Sequence, residues 1–366
     1  MKKSPPEKQT LLDHVSHISD PRQMKKCQHP LVNIVAIATC GVIAGADDWN
    51  SIEAFGQAKK DWFGSFLDLT SGIPSHDTFR RFFSILSPKV FQNFFEGWIK
   101  DVAGLVEGVI AIDGKTVRRS HDRGAGQNAI HIVSAWASTC GLVLGQVKTE
   151  QKSNEITAIP ELLKVLELKN CIVTIDALGC QKAIAKQIHQ QGGDYLIAVK
   201  GNQPTLHHQI EMSFLAARFN GFEQSNGDYF ETAEQSRNRF ERRRHWVLAL
   251  PDSQVDASSW QGLQMIGCVE SYRTLDGETS IEKRYYIGSI ENDAALFARS
   301  VRAHWGVENN LHWQLDVSFR EDESRMRKGH SAENFVTLRH IALNLLKKDK
   351  TTKLGIKNKR LKAGWD

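Results

Sequence analysis

Two short apolar segments of this chain of 366 residues end in the same dipeptide, Ile-Asp. The first, VIAID, ends at Asp113, and the second, IVTID, ends at Asp176. If the segments are neighbouring parallel strands, both carboxylates leave the sheet at one edge, where they repel each other unless a hard cation bridges them. Mg²⁺ or Mn²⁺ suits such a site of oxygen ligands. Taken alone, each aspartate could equally be a turn residue that ends its strand.

A third acid lies in the segment RAHWGVENNLHWQLD. His304, Glu308 and His312 recur every four residues and therefore share one face of a predicted helix. An exposed polar stripe would have the same spacing, so the pattern leaves that alternative open. The H-E-x-x-H string of zinc proteases does not occur in the sequence. Four further acids compete with Glu308 for the role of third ligand: Asp316, Glu321, Asp322 and Glu323.

The elements that would position these acids begin with a helical region at residues 1–103. Within it, SGIPSHDTFRRFFSIL combines a glycine turn, a capping serine at Ser75 and a helix whose apolar side chains share one face. Arg80 and Arg81 are expected to point away from that face. The segment fits a helix-turn-helix that binds DNA, and it equally fits two packed helices of a small bundle.

Residues 104–348 change to strands and helices in the order β-β-β-α-β-α-β. An antiparallel meander followed by alternating helices and strands predicts an α/β fold, a mixed sheet flanked by helices in the RNase H-like order. Four strand-like segments at about 225–290 interrupt this order, and we expect them to form an inserted antiparallel sheet. The chain turns helical again from residue 294. We expect the basic tail at 349–366 to be loosely ordered.

Charge and cysteine usage narrow the class of protein. The net charge of +5 is a mild basic excess, so clusters of basic residues carry more information than the total. The six cysteines form no C-x-x-C pair, which argues against a zinc site and favours a reducing compartment. The apolar segment at 31–46 is short for a membrane span, and the first ten residues lack the apolar core of a signal peptide. We therefore expect a cytoplasmic protein with no membrane partner.

Four strings carry a resemblance to a known family: AIDGKTVRRS, TIDALGCQ, AVKGNQPTL and HWGVENNLHWQLDVSFRED. In this order they resemble the insertion-sequence DDE transposases, and most of all the H-repeat-associated proteins linked to Rhs elements. The resemblance covers nearly the whole chain. It implies an RNase H-like catalytic core with an inserted β segment, in which Asp113, Asp176 and Glu308 form the DDE triad.

The chain departs from the wider superfamily around the glutamate. Many members have a tyrosine, an arginine and a lysine at fixed distances from it, and Val301, His304 and Leu315 occupy those positions here. Other basic residues would then supply the missing contacts, with Arg302, Lys115 and Arg325 as candidates.

The resemblance also implies a reaction. Two Mg²⁺ (or Mn²⁺) ions about 3.5–4 Å apart would activate the nucleophile and stabilise the leaving 3′-oxygen, with Asp113 bridging both ions and Asp176 and Glu308 holding one each. A DNA-bound homodimer would cleave double-stranded DNA at the element's ends and join the 3′-hydroxyl to target DNA. Two alternatives stay open: a catalytically inactive, transposon-derived DNA-binding protein, and an RNase H-like nuclease without strand transfer.

Basic and polar residues near the triad are candidates for contacts with DNA phosphates. Lys115, Arg118 and Arg119 follow the first aspartate, and His312 follows the glutamate. A second group, Lys200, Asn202 and Gln203, follows the fifth strand, where an ordinary turn would have the same composition. The full set of predicted DNA contacts is Lys115, Arg118, Arg119, Lys200, Asn202, Gln203, Arg80, Arg81, Arg302, His312 and Arg325. Trp305 and Trp313 could stack on a flipped base, although we expect both to pack in the core.

Overall fold

The computed structural model of the protein describes residues 9–23, 25, 27–121, 126, 128–149, 155–236, 238–250 and 255–365. In this part of the chain, six α-helices precede the first strand. They are α1 (Leu11–Ser16), α2 (Leu31–Ile43), α3 (Trp49–Ala58), α4 (Lys60–Gly64), α5 (His76–Ile85) and α6 (Pro88–Ala103). The predicted helical character of this region is therefore confirmed.

The predicted capped helix is α5. The Ser75 hydroxyl accepts a hydrogen bond from the backbone N–H of Thr78, which satisfies one of the free donors at the start of the helix. The apolar face of α5 is buried through Phe79, Phe82 and Phe83. Arg80 and Arg81 lie on other faces, and Arg81 is largely exposed. Whether α5 binds DNA stays a prediction.

One mixed sheet of nine strands contains all the described strands. Their bounds are β1 (Gly108–Thr116), β2 (His131–Ala137), β3 (Leu142–Thr149), β4 (Cys171–Ile175), β5 (Asp194–Val199), β6 (Gly227–Ser236), β7 (Arg239–Ala249), β8 (Met265–Leu275) and β9 (Glu278–Gly288). The spatial order is β3-β2-β1-β4-β5-β9-β8-β7-β6. Strands β1, β4 and β5 are parallel to one another, and β2 and β3 are antiparallel to their neighbours. The expected mixed sheet is therefore present.

The expectation of an inserted sheet needs a correction. Strands β6 to β9 are antiparallel, as predicted, but they extend the central sheet and do not form a separate one. The contact is made by β9, whose residues Tyr285 to Gly288 pair with Val199 to Leu196 of β5. Without β9, the backbone groups along one side of β5 would lack partners, and unpaired backbone donors and acceptors in a buried sheet are costly.

Six further α-helices complete the described chain. They are α7 (Glu155–Leu163), α8 (Lys182–Gln190), α9 (Pro204–Asn220), α10 (Ala294–His304), α11 (Ser331–Lys348) and α12 (Ile356–Trp365). Two π-helices (Glu308–His312 and Gln314–Ser318) and a 3₁₀-helix (Glu321–Glu323) lie between α10 and α11. None of the described helices combines the length and apolarity that crossing a bilayer requires.

The basic tail is more ordered than its composition predicts. Residues 356–365 form α12, and the side chain of Arg360 is 5% exposed. Its guanidinium donates to the carbonyl oxygen of Val42 at 2.9 Å and pairs with Asp47 at 2.8 Å. The expectation of a loosely ordered tail was wrong because it weighed only the lysine content and not the partners that α2 and its following turn offer to a buried arginine.

The largest of three hydrophobic clusters among the described residues joins the N-terminal helices to the sheet. It extends through buried side chains from Val15 to Ile356 and includes the apolar faces of α2, α5, α6 and α11. The Asn344 side chain of α11 accepts from the N–H of Val143 and donates to its C=O, both at 2.9 Å, and so covers part of the β3 edge. The predicted boundary between an N-terminal domain at 1–103 and a catalytic domain at 104–348 stays a prediction.

Candidate metal centre and nucleic-acid groove

Asp113 and Asp176 occupy matching positions on two adjacent parallel strands. The last pair in register between β1 and β4 is Ile112 with Ile175, and each aspartate follows directly in its chain. Adjacent strands lie about 4.8 Å apart, so the two residues leave the sheet side by side. Asp176 also caps the following turn, where its Oδ1 accepts from the N–H of Leu178 at 2.9 Å. The predicted parallel arrangement of the two strands is confirmed.

Glu308 and His312 reach the same edge from the π-helix after α10. The N–H of Trp313 donates to the C=O of Glu308, five residues earlier, which widens the turn. His312 Nδ1 lies 3.6 Å from Asp113 Oδ2 and 3.7 Å from Glu308 Oε2. Ligand atoms of these three residues all lie within 4.8 Å of one another, the one such cluster in the described chain.

The electrostatics of this cluster suit a cation. Burial is the main reason why the pKa of Asp113 rises to about 6, and the charges of Glu308 and Asp176 raise it further against the attraction of His312. His312 lowers the pKa of Glu308. Asp113 is thus a buried carboxylate that two other carboxylates disfavour in its charged form, and a divalent cation would relieve that repulsion.

One side-chain contact ties the helical segment that carries Glu308 to the sheet. His304 Nδ1 lies 3.0 Å from the Thr174 hydroxyl, so the end of α10 is tied to β4 two residues before Asp176. Burial lowers the pKa of His304 to about 4, so the imidazole is neutral at pH 7. At the position where the wider superfamily has an arginine, this chain therefore has a neutral residue that holds the helix on the sheet.

The four acids that compete with Glu308 are outside the cluster of Asp113, Glu308 and His312, and each pairs with a basic residue. Lys115 Nζ contacts Asp316 at 2.7 Å, Glu321 at 3.1 Å and Asp322 at 3.4 Å, and Glu323 pairs with Arg320. Burial alone would lower the pKa of Lys115, but Glu321 and Asp316 raise it above its usual value. Lys115 was predicted to contact DNA, and this stays a prediction; in the structure its ammonium contacts three protein carboxylates, which tie β1 to the second π-helix and to the 3₁₀-helix after it.

Asn202 and Gln203 also have partners within the protein. Asn202 Nδ2 donates to the C=O of Ala177 at 2.6 Å, and Gln203 Nε2 donates to the C=O of Cys180 at 2.8 Å. Both side chains therefore hold the loop that follows Asp176, where the sequence had suggested DNA contacts. Lys200 is exposed beside them.

Two of the predicted basic positions lie together near the N-terminal helices. Arg80 and Arg325 line a cleft of about 460 Å³ between the start of α3 and the segment before α11.

Arg118 and Arg119 are exposed after β1, and Asp322 accepts from both the N–H and the guanidinium of Arg118. The backbone C=O of Arg119 accepts from Arg327 at 3.2 Å.

A larger groove of about 930 Å³ runs between α10 and one face of strands β6 to β9. We call it the arginine groove because six arginines line it: Arg239, Arg243, Arg273, Arg284, Arg299 and Arg302. Three glutamates lie among them, and Arg302 pairs with Glu234 at 3.1 Å. Arg273 and Arg299 are exposed and have no carboxylate within ion-pair distance among the described residues. Gly306 and Asn309, which flank Glu308, line the same groove.

Of these six arginines, only Arg302 was predicted from the sequence. The missed signal is the alternation along the inserted strands, where Arg239, Glu241, Arg243 and His245 face the groove from every second position of β7.

The expected burial of the two tryptophans, Trp305 and Trp313, was wrong. Trp305 is 40% and Trp313 53% exposed, and the Arg284 guanidinium lies 4.7 Å from the Trp305 ring, a cation–π arrangement.

Comparison with known proteins identifies the family. The model described as Transposase DDE domain matches residues 104–345, and the model described as DDE_Tnp_1-associated matches residues 12–99. The chain therefore belongs to the family of transposases with a DDE domain, and the resemblance drawn from its four strings is confirmed.

Named relatives cover nearly the whole chain. "H repeat-associated putative transposase YhhI" of Escherichia coli (strain K12) is 44% identical over 98% of this chain and 96% of the relative. "Putative transposase YncI" of Escherichia coli O157:H7 is 46% identical over 97% of this chain and 92% of the relative. The shorter "Inactive transposase YbfQ" of Escherichia coli (strain K12) is 40% identical over 20% of this chain and 89% of the relative. A piggyBac transposase in a synaptic complex with hairpin DNA aligns over 96% of this chain and 75% of its own, with a TM-score of 0.46 and 9% identity.

Proposed function

We propose that this protein is an active DDE transposase that cleaves DNA at the ends of its insertion sequence and joins the 3′-hydroxyl ends to target DNA. The observation that carries the proposal is the cluster of Asp113 and Glu308, whose ligand atoms lie within 4.8 Å of each other, with Asp176 at the matching position of the neighbouring parallel strand. The strand order β3-β2-β1-β4-β5 supports assigning the RNase H-like fold to the catalytic core.

Asp113, Asp176 and Glu308 are the residues that would hold divalent metal ions, two in our proposal. The raised pKa of Asp113 supports this role, since burial beside other carboxylates makes its charged form unfavourable without a cation. Bound Mg²⁺ or Mn²⁺ would supply a nucleophile at neutral pH and stabilise the leaving oxygen. The carboxylates fix where that chemistry happens, because β1 and β4 are central strands of the sheet and cannot shift independently.

Other residues of this chain position the acids. Thr174 and His304 hold the helical segment on β4, and Lys115 ties the second π-helix and the 3₁₀-helix after it to β1. Asn202 and Gln203 fix the loop after Asp176. In this proposal these residues act through the geometry of the triad and not through direct contact with DNA.

DNA would follow the arginine groove away from the acids. Phosphates attract guanidinium groups regardless of base sequence, and Arg273 and Arg299 are available for such contacts. Trp305 offers an exposed ring at the helical wall of the groove. Arg118, Arg119 and Arg325 are further candidates, and a homodimer would pair the two ends of the element.

A strand-transfer assay tests this function against its alternatives. The substrates are a DNA fragment that carries the coding region with its flanks, the same ends pre-cut to expose the 3′-hydroxyl, and a supercoiled target plasmid with Mg²⁺ or Mn²⁺. A transposase is expected to join pre-cut ends to the plasmid. Cleavage without joined product would identify a nuclease, and binding without either product would identify an inactive DNA-binding protein.

A further inference from the structure

His312 is a buried histidine that faces two of the three acids. Its side chain is 7% exposed, and its Nδ1 lies 3.6 Å from Asp113 Oδ2 and 3.7 Å from Glu308 Oε2. Both separations exceed the length of an N–H···O hydrogen bond, so the ring points at the carboxylates without bonding to either. The π-helical turn places His312 and Glu308 on one face, where both can reach Asp113.

The other ring nitrogen has no partner that would explain the burial. His312 Nε2 is inaccessible to solvent and forms no hydrogen bond with any described residue. Burying a ring nitrogen without a hydrogen-bond partner is unfavourable, so packing within the protein does not by itself account for the position of His312. The geometry that points to a ligand is that of Nδ1, which faces two carboxylates from beyond hydrogen-bond distance and lies with them in one cluster of possible metal ligands.

We propose that His312 Nδ1 is a direct ligand of the metal ion held by Asp113 and Glu308, and that this nitrogen makes the site prefer Mn²⁺ to Mg²⁺. The inference rests on the proposed function, because it concerns the same metal centre. Mg²⁺ strongly favours oxygen ligands and regular octahedral geometry, whereas transition metals accept imidazole nitrogen more readily. His312 was predicted from the sequence to contact DNA, and its burial between two acids favours the metal.

Pulsed electron paramagnetic resonance of Mn²⁺ bound to the full chain tests the ligand directly. A coordinated imidazole is expected to give ¹⁴N modulation, which [¹⁵N]histidine labelling should convert to the ¹⁵N pattern. This comparison needs no substitution and therefore does not depend on the folding of a variant. Bound Mn²⁺ without nitrogen coupling would overturn the inference.

Substitution then assigns the nitrogen to one residue. His312→Gln is expected to remove the coupling and to weaken Mn²⁺ binding by about tenfold or more, with a smaller effect on Mg²⁺. His330→Gln, at an exposed histidine before α11, is the matched control. It should leave the nitrogen coupling and the affinity for both metals unchanged. Coupling that persists in His312→Gln would contradict the inference.

Metal-binding titrations of the wild type and of Asp113→Asn separate the failure of this inference from the failure of the proposed function. Asp113→Asn should abolish binding of both metals. If Asp113→Asn loses metal but the wild type shows no nitrogen coupling, only the role of His312 fails. If the wild type binds neither metal, or Asp113→Asn binds them as the wild type does, the metal centre and the role of His312 fail together.

Discussion

Asp113 and Asp176 lie next to each other across a parallel strand pair, one residue beyond the registered pair Ile112 and Ile175. Neither carboxylate can move far, because β1 and β4 each have a hydrogen-bonded strand on both sides. Glu308 approaches from a π-helix, a less regular element. The proposed centre therefore combines two candidate ligands at the edge of a central sheet with one on a segment that other contacts must hold in place.

Alanine variants of the competing acids should separate ligand from support. Glu308→Ala is expected to lower the rate of DNA cleavage by at least ~100-fold, since it removes a proposed ligand. Asp316→Ala should have a smaller effect, because Lys115 keeps Glu321 and Asp322. Cleavage rates measured side by side with Mg²⁺ decide the matter, and full activity of Glu308→Ala would assign the third ligand elsewhere.

Asp113→Asn should stabilise the metal-free protein at pH 7. The pKa of Asp113 is about 6 in the folded chain and near 3.8 when unfolded, so ionising the carboxyl at pH 7 costs the folded state on the order of 1–3 kcal/mol. Between these values the folded state binds the proton more tightly. The wild type therefore gains stability as pH falls from 7 to 4, and the advantage of the variant should shrink over that range.

Denaturant unfolding with a metal chelator measures this difference, and Asp61→Asn at an exposed position is the control. A metal-free Asp113→Asn protein that is less stable than the wild type at pH 7 would show that the site is not electrostatically strained. The same proton should compete with metal, so metal affinity is expected to fall below about pH 6.

Glu321 should matter for stability far more than its neighbour Glu323. Glu321 is 1% exposed and lies 3.1 Å from Lys115 and 3.4 Å from Arg339. Glu321→Ala therefore removes one of the three carboxylates around Lys115 and leaves the buried guanidinium of Arg339 without a carboxylate within ion-pair distance among the described residues. The free energy of unfolding is expected to fall by about 3–5 kcal/mol. Glu323→Ala removes a surface pair with Arg320 and should cost about 0–1 kcal/mol. Equal unfolding midpoints for the two variants would contradict the structural role of the Lys115 network.

Salt titrations of DNA binding test the arginine groove. Arg273→Ala combined with Arg299→Ala should weaken binding and reduce the slope of log K against log salt by about 0.9 for each phosphate that the variant no longer neutralises. Lys164 is exposed near the end of α7, away from the groove. Lys164→Ala also removes one positive charge, as each arginine substitution does, and should leave the slope unchanged. An unaltered slope in the double variant would place the DNA on another surface.

Much of the core could be predicted from sequence because strand ends and hydrophobic alternation are local. The matching segments before Asp113 and Asp176 indicated two parallel strands, and that is how they pair. The partner of Lys115 could not be predicted in the same way, since Glu321 lies 206 positions away and any of several acids had suitable chemistry. The order of the tail was missed for a similar reason: Arg360 is held by Val42 and Asp47, far away in the chain.

The roles of the polar residues were harder to predict than the strands. Asn202 and Gln203 were expected at a DNA surface because their chemistry suits one, but each donates to a carbonyl of the loop after Asp176. A side chain that can hydrogen-bond DNA can equally hydrogen-bond the protein, and only the fold chooses between them.

The most direct test of the proposed centre is cleavage of the flanked DNA fragment by Asp113→Ala and Asp176→Ala with Mg²⁺ or Mn²⁺, measured alongside DNA binding. Both variants are expected to bind the fragment within about threefold of the wild type, since phosphate contacts come from other residues. Both should yield no cleaved product under conditions in which the wild type cuts. Cleavage at the wild-type rate by either variant would contradict the proposed triad.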